Sequence, residues 1–409
     1  MPRPSLVLAC LLALAPAAPA GDAPAKLRVP ADFPTIQQAV DAAGPGATIV
    51  VSQGSYAESV TLAGKTDLSL VGRGRPEIAP GAGLDALTID ACTGVLVRGF
   101  TLRDAQVGVR ITGSSEVTVR ACRVEDTGGD GMSASASSAL LIERNQVDAP
   151  GGRGLALGDP AAVDDSSVRR NTVSDAAGQG LLVGGARNQV HSNRIERAGA
   201  AGLGTSAAVT STDNVFRANR VEGAGDAGLL VQGSGNLFER LRVRDAGGDG
   251  LRVGAAATSN ALSRLRIDAA GGDGLRIEGN ANSLRRVRVT APVGDGCDIP
   301  GGGNLLESCA ISAPGGRGFV LGGGGNGIVD STVEQAGSDG FAVGAFLNRC
   351  SSCRATRSAG RGFFVNGSSG QFQHNTARDN GGLDLEDAAG AFSDNTYTYN
   401  DFPDNNLGL

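Results

Sequence analysis

Three aspartates stand immediately before a glycine in successive periods of this chain: Asp249, Asp273 and Asp295, ahead of Gly250, Gly274 and Gly296. If each period is one turn of a stacked structure, the three carboxylates form a column spaced by about 4.8 Å. Carboxylates that close raise one another's pKa unless a cation or water intervenes. Such a column could bind Ca2+, which favours several oxygen ligands. It could also do acid/base chemistry on a sugar chain, since glycoside hydrolysis uses paired carboxylates. The plain alternative is a solvated corner, because aspartate is favoured ahead of glycine in turns. The same position elsewhere reads Asp130, Arg153, Gln179, Ala201, Ala227, Arg317, Asp339 and Arg361.

A second column is basic. Eight residues before the glycine stand Arg194, Arg220, Arg242, Arg266 and Arg288, and two residues earlier Arg240, Arg264 and Arg286. Glu196, Glu222 and Asp268 offset part of this charge, but from Arg240 to Arg288 the arginines outrun the acids. Guanidinium groups grip carboxylate or sulfate with paired hydrogen bonds. An acidic polysaccharide is therefore the candidate ligand, with Arg252 and Arg276 beyond the glycines as further anchors. A strand face kept soluble by mixed charge is the alternative. Sugar-stacking aromatics are scarce, and His191 and His374 are isolated.

Both columns require a strictly repeating scaffold. The glycines recur at Gly108, Gly131, Gly154, Gly180, Gly202, Gly228, Gly250, Gly274, Gly296, Gly318, Gly340 and Gly362, with Ala86 in the role one period earlier. A period of 20–50 residues marks a solenoid or array. Three stretches per period alternate apolar and polar residues, as strands do. One column follows the glycine (Leu229/Val231, Leu251/Val253, Leu275/Ile277), one lies twelve before it (Phe216, Phe238, Leu262), and one seven before it (Val221, Val243, Ile267). The three can be buried together only if each coil is a triangle with these columns inward. About 13 such coils make a rod of roughly 60 Å. Asparagine stands fourteen residues before the glycine in eight successive coils, from Asn188 to Asn348, and nine before it at Asn145, Asn171, Asn193 and Asn219. Glycine and asparagine tolerate the positive φ that tight corners need, and stacked asparagines can also bond to one another and to the corner backbone.

The ends of such a rod need covers, because open strand edges invite pairing. Thr35 with Gln38 fits a capping box, Ile36, Val40 and Ala43 give an apolar stripe, and Gly44-Pro45 stops the helix. Residues 383–409 are acidic and asparagine-rich, which suits a cap or tail. The expected divisions are thus 1–20 as signal peptide, 21–80 as N-terminal cap and first strands, 81–382 as β-helix, and 383–409.

The chain has 409 residues, 64 of them glycine, no tryptophan and a net charge of -6, so its overall charge does not suit nucleic acid. Arg3 followed by the short apolar run Leu6 to Ala15 and then Ala18-Pro19-Ala20 reads as an export signal. That run is too short to span a bilayer, and no later segment is apolar enough. The expected location is secreted, periplasmic or cell-surface. Beyond Cys10, six cysteines are scattered and read chiefly as small buried hydrophobes. Cys350 and Cys353 form a CxxC that could oxidise or hold a metal, with no second pair or histidine beside it.

The stretch Val29 to Val40 (VPADFPTIQQAV), followed by Ala47 to Val51, Gly54-Ser55-Tyr56 and Glu58-Ser59-Val60, resembles the opening of the pectin lyase-like right-handed parallel β-helix superfamily. The coils resemble its generic repeats over nearly the whole remaining chain. The resemblance implies an all-β, single-stranded right-handed parallel β-helix with an N-terminal capping helix. It implies no single activity, since the superfamily spans lyases, hydrolases, esterases, epimerases, copper-maturation proteins and members with none assigned. Its enzyme signatures are missing here: no Gly-His-Gly, no Asp-Pro-His-Glu, no Asp-Phe-Ile-Phe-Gly. Copper capture favours Met, His and Cys, and the chain offers Met1, Met132 and two separate histidines.

The expected function is an exported rod that binds, and could process, an acidic extracellular or envelope polysaccharide. Its centre lies in residues 228–318. Asp249, Asp273 and Asp295 are the acid/base or Ca2+ candidates, and no cofactor is required. The alternative is a non-catalytic structural rod. Unbroken repetition favours no catalysis, since active sites usually interrupt a repeat. An enzymatic form would be a polysaccharide lyase, glycoside hydrolase or uronan epimerase. The expected state is a monomer without nucleic acid or a transmembrane segment.

Overall fold

Alternation gives every short stretch an inward and an outward face. In the computed structural model, which describes residues 25–389 and 394–407, those faces stack coil on coil. Three parallel sheets run the length of the molecule, the first of 17 strands and the second and third of 15 each. One coil shows the path. Leu251–Val253 lies in the third sheet, Ala261–Ser263 in the first, Arg266–Asp268 in the second, and Leu275–Ile277 returns to the third. Register is kept from coil to coil: Leu251 pairs with Leu275, Leu262 with Leu284, and Ile267 with Val289. These inward residues are fully buried. Aromatics stack face to face in two columns, one in the first sheet (Phe216, Phe238) and one in the third (Phe319, Phe341, Phe363). Phe216 and Phe238 lie 4.6 Å apart, Phe319 and Phe341 5.1 Å, and Phe341 and Phe363 4.5 Å.

The rod is longer than 13 coils. Val60–Ala63 and Leu385–Asp387 extend the third sheet at its two ends, with Ser59 and Asp384 where glycine stands elsewhere. Without that glycine neither coil carries the marker by which coils are counted in sequence. Thr396–Thr398 then adds the last strand of the first sheet, so residues placed in a terminal cap also form strands. Phe402 packs on Phe363 at 5.1 Å. At the other end the helix Ile36–Ala42 covers the first strands and buries Ile36, Ala39 and Val40. Thr35 caps it, its hydroxyl accepting from the Gln38 amide at 3.2 Å. The free amides of Ile36 and Gln37 donate to the Glu58 carboxylate at 2.8 and 2.9 Å, a second cap suited to the positive helix start. Residues 1–20, with Cys10, lie outside the described residues.

The corners differ from expectation in their physical reason. No asparagine of the two ladders has a positive φ. Left-handed corner positions are held instead by Arg144, Arg170, Ser192, Ala218, Arg240, Arg264, Arg286 and Ser308, between the first and second sheets. The asparagines are buried and serve the hydrogen-bond reading. Oδ1 of Asn282 accepts from the Asn260 backbone amide and its Nδ2, both at 3.0 Å, and Nδ2 of Asn282 donates to the Ala257 carbonyl at 3.1 Å. The marker glycines likewise have no positive φ. They are required for space, since a Cβ on Gly274 would meet Val289 and stand 2.6 Å from the Gly296 carbonyl oxygen.

Candidate functional site

The two charged columns sit at different corners of the triangle. The arginines of the second-sheet strand starts, together with the left-handed residues before them, form the edge between the first and second sheets. Asp249, Asp273 and Asp295 lie across the second sheet, at the start of the third. Arg252 and Arg276 project from the third sheet, beside the aspartates and away from the basic edge.

Each aspartate is tied to the main chain. Oδ1 of Asp249 accepts from the Asp273 amide at 2.9 Å, that of Asp273 from the Asp295 amide at 2.8 Å, and that of Asp295 from the Arg317 amide at 2.6 Å. Asp130 and Asp339 do the same for Arg153 and Arg361. The column is thus a capping ladder with one carboxylate oxygen per residue left over. Two of the three central outer oxygens meet cations: Arg317 lies 3.0 Å from Asp295, and Arg276 reaches Asp273 at 3.6 Å. Arg276 is also held by Glu278 at 2.9 Å and Asp298 at 3.0 Å, and Arg252 by Glu278 at 3.1 Å. Both proposed anchors are therefore engaged by this chain's own acids. Glu278 and Asp298, strand neighbours that sequence counting passed over, complete the cluster.

Burial pushes the Asp273 carboxyl above its ordinary value, helped by Asp249, Asp295 and Asp298. Burial also raises Asp298, opposed by Arg276. A raised carboxylate pKa means that the folded state holds its proton more tightly than the unfolded chain. Stability from that group is present below the unfolded value and falls as pH rises through the folded one. Asp273→Asn keeps the acceptor for the Asp295 amide and removes the charge. Its melting temperature relative to wild type should be higher at pH 8 than at pH 3.5. A difference that does not change with pH would show that Asp273 ionises without cost. Among the described residues, no group of three or more His, Cys, Asp or Glu side chains is arranged to hold a metal ion.

The basic edge is open. Arg264, Arg266, Arg286 and Arg288 line a groove of about 400 Å3, with Leu265, Val287, Ser308 and Ala310 as its floor and wall. Arg240 and Arg264 share Glu239 at 3.7 and 2.7 Å, and Arg266 pairs with Asp268 at 2.9 Å. Among the described residues, Arg242, Arg286 and Arg288 have no carboxylate within ion-pair distance. All three side chains are exposed. The six cysteines after Cys10 are buried free thiols. Burial lifts Cys122 and Cys309 to about 11, and a hydrogen bond to Cys353, with burial, holds Cys350 well above the ordinary thiol range.

The sequence model of a family described as a right-handed β-helix region matches residues 162–299 and 273–408. One described as the periplasmic copper-binding protein NosD matches residues 40–222. No curated protein matches the chain. Among solved structures, the A-module of the mannuronan C-5 epimerase AlgE6 of Azotobacter vinelandii is 14% identical over 90% of this chain and 93% of that one, with a TM-score of 0.46. The receptor-binding domain of the siphovirus 9NA tailspike is 12% identical over 92% and 75%, with a TM-score of 0.47. PfbA, a surface adhesin of Streptococcus pneumoniae, is 13% identical over 85% and 86%, with a TM-score of 0.41. Similarities this distant carry nothing about what this chain binds.

Copper does not fit the residues present. In 40–222 the soft ligands are Cys92, Cys122, Met132 and His191. The two thiols and Met132 are buried in the core, and His191 lies on the outer face of the first sheet, where partial burial, and then the neighbouring Arg169 and Arg170, lower its pKa.

Proposed function

This chain belongs to the right-handed β-helix family, and from that scaffold we propose that it is an exported rod that binds an acidic polysaccharide of the cell exterior or envelope at its basic edge. One observation carries the reading: a groove lined by four guanidiniums, two of which, Arg286 and Arg288, have no carboxylate partner among the described residues. Exposed guanidiniums in a row, each with donors free, are suited to paired carboxylate or sulfate groups. No helix among the described residues is long and apolar enough to cross a membrane.

The test is binding of oligouronates and sulfated oligosaccharides to wild type and to the Arg286→Ala/Arg288→Ala double variant. Both side chains are exposed, so the fold should persist, as checked by dichroism. Affinity should fall by at least about tenfold, the equivalent of roughly 1.4 kcal/mol, with little change for Asp249→Asn. Equal affinity in the two proteins would sink the groove as the site. Failure of every polyanion to bind would leave the second reading, a rod whose shape is its function.

Catalysis at the separate acidic corner, on a sugar that reaches it rather than the basic edge, is a further reading. It is favoured by Asp273 and Asp298, two half-buried carboxylates of raised pKa on either side of Arg276. Lyase, hydrolase and epimerase assays on uronans, with and without Ca2+, test it. Turnover abolished by Asp273→Asn would support it. Turnover of none of these substrates would end it.

A further inference from the structure

The basic edge does not begin at Arg240. Stacked registers carry it back through six more coils. The third position of each first-sheet strand reads, coil after coil, Arg98, Arg120, Glu143, Arg169, His191, Arg217, Glu239, Ser263 and Arg285. Around the corner, Arg123, Gln146, Thr172, Arg194, Arg220, Arg242, Arg266 and Arg288 follow one another in the second sheet. Arg144 and Arg170 occupy the left-handed corner itself.

Arg123, Arg194, Arg220 and Arg266 are paired within the second sheet, with Glu125 and Asp148, Glu196, Glu222 and Asp268 respectively, but the acids of the first-sheet rim are outnumbered where they stand. Glu143 is met by Arg144, Arg169 and Arg170, at 3.7, 3.3 and 3.8 Å. Glu239 is met by Arg217, Arg240 and Arg264, at 3.1, 3.7 and 2.7 Å. Each carboxylate therefore leaves two positive charges uncancelled. Arg98 and Arg120 are exposed and, among the described residues, have no carboxylate within ion-pair distance. Past Arg288 the corner becomes Ser308, Ala310, Asp330 and Thr332, and the basic run stops. The molecule as a whole carries a net charge of -6, so the rest of the chain is acidic in balance.

We infer that the edge from Arg98 to Arg288 is one continuous track for a linear polyanion that lies along the rod axis and crosses coils. Eight coil-to-coil steps make it roughly 40 Å long. The inference rests on the acidic-polysaccharide reading and extends it: the groove at Arg264–Arg288 is one end of the site. Such a chain presents anions repeatedly in one direction, as the guanidiniums are presented. Between Arg98 and Arg288 the edge carries no Phe, Tyr or Trp on its outer face and His191 is its one ring, so a nucleobase finds no stacking platform there and a bound chain is held through its anions.

Length dependence alone would not establish this, because a long polymer also offers more registers to a short site. The experiment therefore combines a length series with a distal variant. Oligouronates from a disaccharide to a chain longer than the edge are titrated into full-length wild type and into Arg98→Gln/Arg120→Gln, both sites remote from the groove. The expected result is at least a fivefold loss of affinity for the long chain with no change for the shortest oligomer that binds. Equal affinity of both proteins for the long chain overturns the track while leaving the groove. No binding at any length overturns the groove as well. A DNA strand or duplex of equal length binding as tightly in the same salt overturns the assignment to polysaccharide. Sedimentation that reveals rods self-associating through this edge, abolished by the same variant, overturns it in favour of a second copy of the chain.

Discussion

Asn282→Ala should destabilise the protein by about 2–5 kcal/mol, more than any single surface change. The substitution removes the acceptor for the Asn260 amide and the donor to the Ala257 carbonyl, both in a buried corner. It also removes an acceptor from the Asn260 side chain, which lies on the same ladder. A buried polar group left without a partner costs about 1–3 kcal/mol, and at least two are orphaned here. The loss should be local at first, because stacked coils interact mainly with their neighbours. Hydrogen exchange at the Asn260 and Asn304 coils should accelerate before that of the ends, and the denaturation midpoint should fall. Asn282→Asp keeps the acceptor but sets a second oxygen against the Ala257 and Asn280 carbonyls and Asn304 Oδ1 in a buried corner, so at neutral pH it should cost at least as much as alanine. A loss below 1 kcal/mol for Asn282→Ala would mean that the ladder holds no more than surface hydrogen bonds do.

Gly274→Ala should be at least as damaging, for a reason that glycine's freedom of φ does not supply. Its φ is ordinary for any residue, but the added methyl would overlap Val289 and stand 2.6 Å from the Gly296 carbonyl. Overpacking a well-filled core costs about 1–3 kcal/mol and sometimes more. Here one of the two obstacles is backbone, which cannot turn aside. Trimming the side-chain obstacle with Val289→Ala should therefore rescue little. The chain itself supports this. Opposite Gly340 and Gly362 the apolar residue is already alanine (Ala355 and Ala377), yet a Cβ there would still meet the alanine Cβ as well as a carbonyl oxygen at 2.7 and 2.6 Å. Gly303→Ala is the contrast. Its φ is +65 and its Cβ would meet nothing within 4 Å, so only the left-handed backbone cost of about 1–2 kcal/mol applies. Thermal unfolding of the two variants decides the matter, and a larger loss for Gly303→Ala would refute the steric account.

The strands were legible because burial writes itself into sequence with period two. Val243, Ile267 and Val289 mark one column without help from the structure. The asparagine register was equally plain, but its cause was half-read: the residues hydrogen-bond, and none takes a positive φ. Between the first and second sheets the left-handed positions are filled by Arg240, Arg264 and Arg286, residue types that give no turn signal, whereas beside the longer ladder glycine does take them at Gly235, Gly303 and Gly325. The end coils were missed because Ser59 and Asp384 stand where glycine marks the others. In the charged regions, the counting that found Arg240 also lands on Arg144 and Arg170 from Gly154 and Gly180. What it could not reveal is three-dimensional: that Glu143 and Glu239 each face three arginines, that Arg252 and Arg276 are already held by Glu278, and that the two charged columns occupy different corners.

The asparagine ladder has one more consequence. From Asn260 to Asn326 every rung's backbone amide donates to the asparagine Oδ1 of the turn after it, and the run ends at Asn348, whose Nδ2 has no partner among the described residues. A rung therefore cannot tell which neighbour it has. Loss or duplication of one whole 22-residue segment in the gene would present matching surfaces at the join, so reach along the axis is a quantity that inheritance can adjust in whole steps without redesigning the interior.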